Sequence, residues 1–406
     1  MTYSIGHTTG SIHSKIHLAS SKSESNRALI INALTGNACN IQNVSTARDT
    51  VTMNRLLNSK EEVLDVIDAG TTMRFLTAYL SLGKQERIIT GTERMCERPI
   101  GLLVDALREI GADIEYLKEE GFPPLKIKGM QTQRKNRIQI RGDVSSQYIS
   151  ALLMIAPNLP LGLTLDLTGE IGSLPYIQMT LQMMADFGIK YQFIDSTITV
   201  HAQPYKPTSF YVESDWSGAS YWFSAAALAK EAEIELIGLK KNSLQGDAAI
   251  VPMLEKLGVS TTFKETSIVL KKDSSFTLPS KIEIDFTHCP DIAQTLAVIC
   301  GGLGVELVMT GVESLKIKET DRLAALEAEL GKFGVAVKEI AKHTYSVTGK
   351  AKVDNQSVYT YKDHRMAMAF APLALLGEVQ IENPDVVVKS YPSYWDDLKI
   401  AGFSVN

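Results

Sequence analysis

Six stretches of the chain open on small or polar residues and then run apolar on every side. They are SKSESNRALIINAL from Ser21, DAGTTMRFLTAYL from Asp68, GDVSSQYISALLMIA from Gly142, SDWSGASYWFSAAAL from Ser214, CPDIAQTLAVIC from Cys289 and YKDHRMAMAFAPLALL from Tyr361. Small polar residues at such a head cap a helix, and a helix that is apolar all round has to be buried. A second kind of segment carries Leu, Met or Phe at helical spacing on one side only. PIGLLVDALREIGADI, PYIQMTLQMMADFGIKY, DAAIVPMLEKLGVS and TDRLAALEAELGKFGVAV are examples. They predict amphipathic helices closed by glycine. Short β-rich pieces such as STITVH, TSIVLKK and TYSVTG lie between the helices.

The six heads are separated by 47, 74, 72, 75 and 72 residues. A recurrent spacing of this kind is the mark of an internal repeat. Each unit reads strand–helix–strand–helix–strand–strand, and six of them in 406 residues predict two lobes of three. The first unit is about 25 residues short, because MNRLLNSKEEVLDVIDAG runs almost directly into the next helix. A strand pair is therefore expected to be missing there. The fold class that follows is α/β, with buried helices inside and sheets outside, an inside-out barrel-like arrangement. The helix N-termini would converge where the lobes meet, and converging N-termini favour anions.

Composition narrows the function classes. Apolar residues make up 45% and charged residues 21%, the balance of a soluble globular protein. A net charge of −5 argues against a general nucleic-acid or membrane-surface binder. Cys39, Cys96, Cys289 and Cys300 are scattered without C-x-x-C spacing, which fits a reducing compartment and no zinc site. No signal peptide or membrane span is expected, since the start lacks a basic-then-apolar leader and the apolar run from Ala293 to Met309 is interrupted. Walker-type, H-E-x-x-H and G-x-S-x-G motifs are absent. His7, His13 and His17 fall in a predicted strand and hairpin and read as surface residues.

Against this acidic background, cations gather at the helix heads and in nearby loops. They are Lys22 and Arg27, Arg74, Arg94 and Arg98, Lys318 and Arg322, His364 and Arg365, and Lys389. A cation at the positive end of a buried helix is unfavourable alone and becomes favourable when a polyanion completes the site. Ser23 and Arg27 lie four apart and share a helix face, and Lys318 and Arg322 repeat the spacing. Ser145, Ser146, Gln147, Ser173 and Tyr176 either cap helices or orient a polar ligand. Asp291 stands at a helix head, and Glu319 lies inside KETDR. Two carboxylates among cations are either ion-pair struts or a general acid and base.

Taken together, SKSESNRAL, AGTTMR, RMCERPIG, VSSQY, KETDR, YKDHRMAMAF and KSYP resemble the enolpyruvyl transferase family, and within it the branch acting on shikimate 3-phosphate. The resemblance spans nearly the whole chain and implies two lobes of three repeats. On this basis lobe one is residues 1–20 with 245–406 and lobe two is 21–244, joined by crossovers near Ser20–Ser21 and Ser243–Gln245. It implies that Lys22, Ser23, Arg27, Ser145, Ser146, Gln147, Ser173, Tyr176, Asp291 and Lys318 meet shikimate 3-phosphate. Lys22, Gly70, Arg94, Gln147, Arg322, Arg365 and Lys389 would meet phosphoenolpyruvate. Asp291 would act as base toward the 5-hydroxyl, and Glu319 would protonate the methylene carbon with Lys22 assisting. Addition would be followed by expulsion of phosphate, on the route to chorismate and the aromatic amino acids. No metal or organic cofactor, nucleic acid or membrane is implied, and a cytoplasmic monomer is expected.

The chain departs from the family pattern at several positions. Ala19-Ser20 stands for Pro-Gly, Asp68 for an Asn, Phe75 for Pro or Leu, and Ser314 and Lys362 each for an Asn. Asp68 adds a negative charge beside the phosphoenolpyruvate site, which works against binding that anion. Two other readings stand beside this one. The first is the sister transferase acting on UDP-N-acetylglucosamine, which carries Lys-Asn where this chain has Lys22-Ser23 and uses a loop cysteine, with Cys96 placed suggestively. The second is a non-catalytic anion-binding protein on the same scaffold.

Overall fold

The computed structural model describes residues 1–406. The buried helices are Lys22–Leu34, Gly70–Ser81, Ser146–Ile155, Trp216–Leu228, Ala293–Leu303 and His364–Phe370. Their composition dictates their place: every residue from Ala293 to Gly302 is buried, and so is every residue from His364 to Phe370. The partner helices keep one wet side. Gly101–Ile110 buries Leu103, Val104, Ala106, Leu107 and Ile110 and leaves Asp105 exposed. Helix ends follow the sequence signals. Gly304 closes Ala293–Leu303 in the left-handed region (φ 78°), where a side chain would be strained.

Six sheets surround these helices. Five have four strands and one has two. The four-stranded sheet built from Arg137–Arg141, Leu163–Thr168, Tyr191–Ile194 and Thr197–Val200 shows the repeat plainly. A parallel pair brackets the buried helix Ser146–Ile155, and the antiparallel pair that follows completes the sheet beside Leu163–Thr168. The sheet of Lys281–Asp285, Glu306–Thr310, Ala336–Ala341 and Thr344–Thr348 has the same plan around Ala293–Leu303. The two-stranded sheet pairs Asn40–Gln42 with Ser209–Tyr211 in parallel. It has no antiparallel pair, which is the strand pair that the short first interval predicts to be missing.

The chain divides into two compact units. One comprises Met1–Ser20 and Glu213–Asn406, and the other Ser21–Val212. The expected second crossover near Ser243–Gln245 is therefore corrected to Val212–Glu213. The reason is strand pairing. Ser11–His17 runs parallel to Glu231–Ile237 over seven residue pairs, from Ser11 opposite Glu231 to His17 opposite Ile237. That pairing holds the Trp216–Leu228 helix and the strand after it in the first unit. The first strand of the repeat, Ser209–Tyr211, stays behind in the other unit against Asn40–Gln42. The repeats are thus cut just after a strand rather than after a helix. Ser20 and Ser214 pair where the two crossing segments enter the first unit. No helix is long and apolar enough to cross a membrane.

Candidate active site

In the unit of Ser21–Val212 the heads of three buried helices are tied to one another. Ser21 caps the first by accepting from the backbone N–H of Glu24, at 3.3 Å. Lys22, the first residue of that helix, pairs with the buried Asp49 at 3.2 Å. The backbone carbonyl of Asp49 accepts from the Thr72 hydroxyl at 3.3 Å, which joins the head of Gly70–Ser81. Gln147 donates to the Thr71 hydroxyl at 3.1 Å, which joins the third head, where Ser145 caps by accepting from Gln147 N–H. Gly70 lets two arginine side chains approach the helix head closely. A Cβ there would lie 2.7 Å from Arg98 Nη1 and 2.9 Å from Arg74 Nη1. Ser173 is held in the left-handed region (φ 53°) just before the helix that carries Tyr176.

Arg27 is turned into the core of this unit. Its Nε donates to Thr180 Oγ1 at 2.7 Å, and Nη1 to the Ser23 carbonyl at 3.0 Å. Nη2 reaches Ser150 Oγ at 3.2 Å and the Tyr176 carbonyl at 3.4 Å. Phe75, one of the departures from the family pattern, lies under the guanidinium with its ring centroid 5.4 Å away. Burial pulls this guanidinium down to about 10, and Tyr176 and Glu24 oppose the shift. Arg27 therefore orients Ser23, Ser150 and Thr180 more than it offers free donors. Arg94 stands on the short, partly exposed Glu93–Cys96 helix and pairs with Glu97 at 3.0 Å. Arg98, absent from the ligand sets above, packs on Gly70 beside Arg74.

The other unit gathers Asp291, Lys318, Glu319, Arg322, Arg365 and Lys389. Arg322 is the hub, with its side chain 2% exposed. Its three nitrogens meet Asp363 at 2.7 Å, Glu319 at 2.9 Å and Asp291 at 3.1 Å. Asp291 also faces Arg365 at 2.9 Å and Lys318 at 3.8 Å. Glu319 also faces the buried Lys389 at 3.3 Å. Burial by itself raises the Asp291 carboxyl, but Arg365, Lys318 and Arg322 outweigh it and hold it well below the usual carboxylate range. Burial pulls Arg322 down, and Asp363, Glu319 and Asp291 more than reverse that. Helix heads again do the positioning. Asp363 caps the His364–Phe370 helix by accepting from the Arg365 N–H at 2.9 Å, and Asp321 caps the Arg322 helix through Leu323 and Ala324 N–H.

The partners of the charged groups are what motif reading missed. Asp49, Arg48, Asp363 and Asp247 are absent from the ligand sets above. Asp363 lies within the DHR motif, and Asp49 sits one position inside a helix head, so position offered a weak signal for both. Asp247 offered none. It accepts from the Ser217 hydroxyl, to which Arg365 Nη2 also donates at 3.4 Å. Burial first, and then the nearby Asp291, push the Asp247 carboxyl up. Among the described residues no cluster of three His, Cys, Asp or Glu side chains has the arrangement to hold a metal ion.

Each unit thus presents a polar, cation-bearing face built on buried helix heads, as an α/β enzyme handling phosphorylated anions requires. Solved structures share the fold. The EPSP synthase from Acinetobacter baumannii superposes with a TM-score of 0.82 at 20% identity, covering 100% of this chain and 99% of that one. The family model for EPSP synthase (3-phosphoshikimate 1-carboxyvinyltransferase) matches residues 7–59 and 55–398. A 3-phosphoshikimate 1-carboxyvinyltransferase from Bacteroides fragilis is 51% identical over 97% of this chain and 96% of its own length. One from Aliivibrio fischeri is 37% identical over 96% of each. The chain belongs to the EPSP synthase family.

Proposed function

We propose that this chain transfers the carboxyvinyl group of phosphoenolpyruvate to the 5-hydroxyl of shikimate 3-phosphate, releasing inorganic phosphate. The observation that carries the reading is the Arg322 hub. It holds Asp291 and Glu319 side by side, each with cations of its own. The reaction needs one group to take a hydroxyl proton and another to protonate carbon.

In the addition step the 5-hydroxyl oxygen bonds to the central carbon of phosphoenolpyruvate, loses its proton, and the methylene carbon gains one. Asp291, held ionised by Arg365, Lys318 and Arg322, takes the hydroxyl proton as base. Glu319 delivers the proton to the methylene carbon, and Lys22 assists proton transfer. In the elimination step the carbon–phosphate oxygen bond breaks, the methyl carbon returns a proton to Glu319, and phosphate leaves with the proton that Asp291 took up. Ser23, Ser145, Ser146, Gln147, Ser173, Tyr176 and Lys318, with Arg27 behind them, bind shikimate 3-phosphate. Lys22, Gly70, Arg94, Gln147, Arg322, Arg365 and Lys389 bind phosphoenolpyruvate. No bound cofactor takes part in this scheme.

The test is phosphate release by the purified chain given both substrates. Release with UDP-N-acetylglucosamine in place of shikimate 3-phosphate would move the assignment to the sister reaction. Phosphate binding without release from either mixture would leave an anion-binding protein. The same reading makes the protein a cytoplasmic monomer, which light scattering on a sizing column and cell fractionation would check.

A further inference from the structure

Asp68 sits two residues before Gly70, where a carboxylate opposes the binding of an anion at the Gly70–Ser81 helix head. The backbone fixes it there. Ile67 is in the left-handed region (φ 60°), its N–H donates to Asp65 Oδ1 at 2.7 Å, and its carbonyl accepts from Thr92 N–H at 2.7 Å. The Ala69 N–H closes the turn on the Val66 carbonyl at 3.0 Å. Arg48 answers this charge. Its Nη2 meets both Asp68 carboxylate oxygens at 2.9 Å.

Arg48 is itself misplaced for helix stability. It is the first residue of Arg48–Leu57, the end where the helix dipole disfavours a cation. As an ion pair it adds little to stability, since Arg48 is 40% and Asp68 29% exposed at the side chain. The adjacent residue, Asp49, holds Lys22. Neighbouring residues of one helix head thus take charges of opposite sign on two other heads.

We infer that Arg48 is a positioning and specificity-determining residue. It neutralises Asp68 and keeps the Gly70 helix head receptive to phosphoenolpyruvate. The inference rests on the function proposed above and deepens it. It also reverses the expectation that Asp68 weakens binding of that substrate: the negative charge arrives with its own counter-charge. A neutral residue at position 68 would make Arg48 dispensable.

Four variants of the full chain test this: Arg48→Ala, Arg48→Lys, Asp68→Asn and the double variant Arg48→Ala/Asp68→Asn. The KM for phosphoenolpyruvate at saturating shikimate 3-phosphate is the readout. Arg48→Ala should raise it about threefold to tenfold, the range for losing one nearby counter-charge at the edge of solvent. Turnover at saturation and the KM for shikimate 3-phosphate should stay within about twofold, and the rise should shrink with added salt. The double variant and Arg48→Lys should return the KM to near the parent value, at a melting temperature close to that of Arg48→Ala. An unchanged KM in Arg48→Ala, or a double variant as impaired as the single one, would overturn the inference. If the parent chain itself shows no turnover, the functional reading fails separately. The pair is then tested by calorimetric titration of the same proteins with inorganic phosphate. Weaker binding by Arg48→Ala, restored in the double variant, supports it, and equal binding by all of them sinks it.

Discussion

Arg27 and Arg322 are buried to the same degree, 2% and 1% exposed, and each belongs to the polar centre of its own unit. Their surroundings differ. Arg27 donates its hydrogen bonds to neutral oxygens of Thr180, Ser150, Ser23 and Tyr176, and burial lowers its pKa to about 10. Arg322 meets three carboxylates, which together reverse the effect of burial. Burial therefore does not set the electrostatic character of a buried cation; its partners do. The unit of Ser21–Val212 joins its helix heads through neutral donors and acceptors together with the Lys22–Asp49 pair, a layout suited to orienting polar groups. The unit of Glu213–Asn406 is wired through mutual charges, a layout suited to moving protons.

The contrast is open to a direct break. Arg322→Gln would leave Asp291, Glu319 and Asp363 without their shared partner, and the expected loss of stability is about 3–5 kcal/mol, typical of breaking a buried charge network. Arg27→Gln removes hydrogen bonds from a cation to neutral oxygens and should cost about 1.5–3 kcal/mol, the range for hydrogen bonds to a charged group. Chemical denaturation of both variants measures the pair, and equal losses would erase the distinction.

Catalysis should follow the same division. Asp291→Ala and Glu319→Gln should each lower turnover at least about a hundredfold, the lower scale for losing acid–base help. Near-normal rates in either variant would remove that residue from the mechanism.

A third test uses pH. The folded-state pKa of Asp291 is depressed, so its stabilising contribution is complete above the unfolded value, about 3.9. That contribution fades as pH falls below about 4. Asp291→Asn should therefore flatten the fall of unfolding free energy between roughly pH 4 and 2. An unchanged slope would mean that other carboxylates dominate acid unfolding.

The smallest effect expected is at a helix cap in the neutral unit. Ser145→Ala removes the acceptor for Gln147 N–H and should cost about 1 kcal/mol by thermal or chemical unfolding. A loss several times larger would show that Ser145 is a strut of that unit and not just a cap.

Much of this was legible in the chain itself. The hydrophobic pattern determined the six buried helices, their amphipathic partners, the repeat and the missing strand pair, because burial on all sides or on one side follows directly from residue spacing. The motifs identified the charged groups, since cations at helix heads are unfavourable without a counter-ion. Tertiary structure decided which charges answer each other. Asp49 lies 27 positions from Lys22, Asp363 lies 41 from Arg322, and Arg48 lies 20 from Asp68. Pairing at such separations depends on how helix heads pack, and spacing along the chain carries no record of it. The same reason moved the crossover to Val212–Glu213, because only the pairing of Ser11–His17 with Glu231–Ile237 reveals which unit owns the helix between. The sequence by itself therefore determined where the helices and charges lie along the chain, and the fold alone decided what each charge is worth.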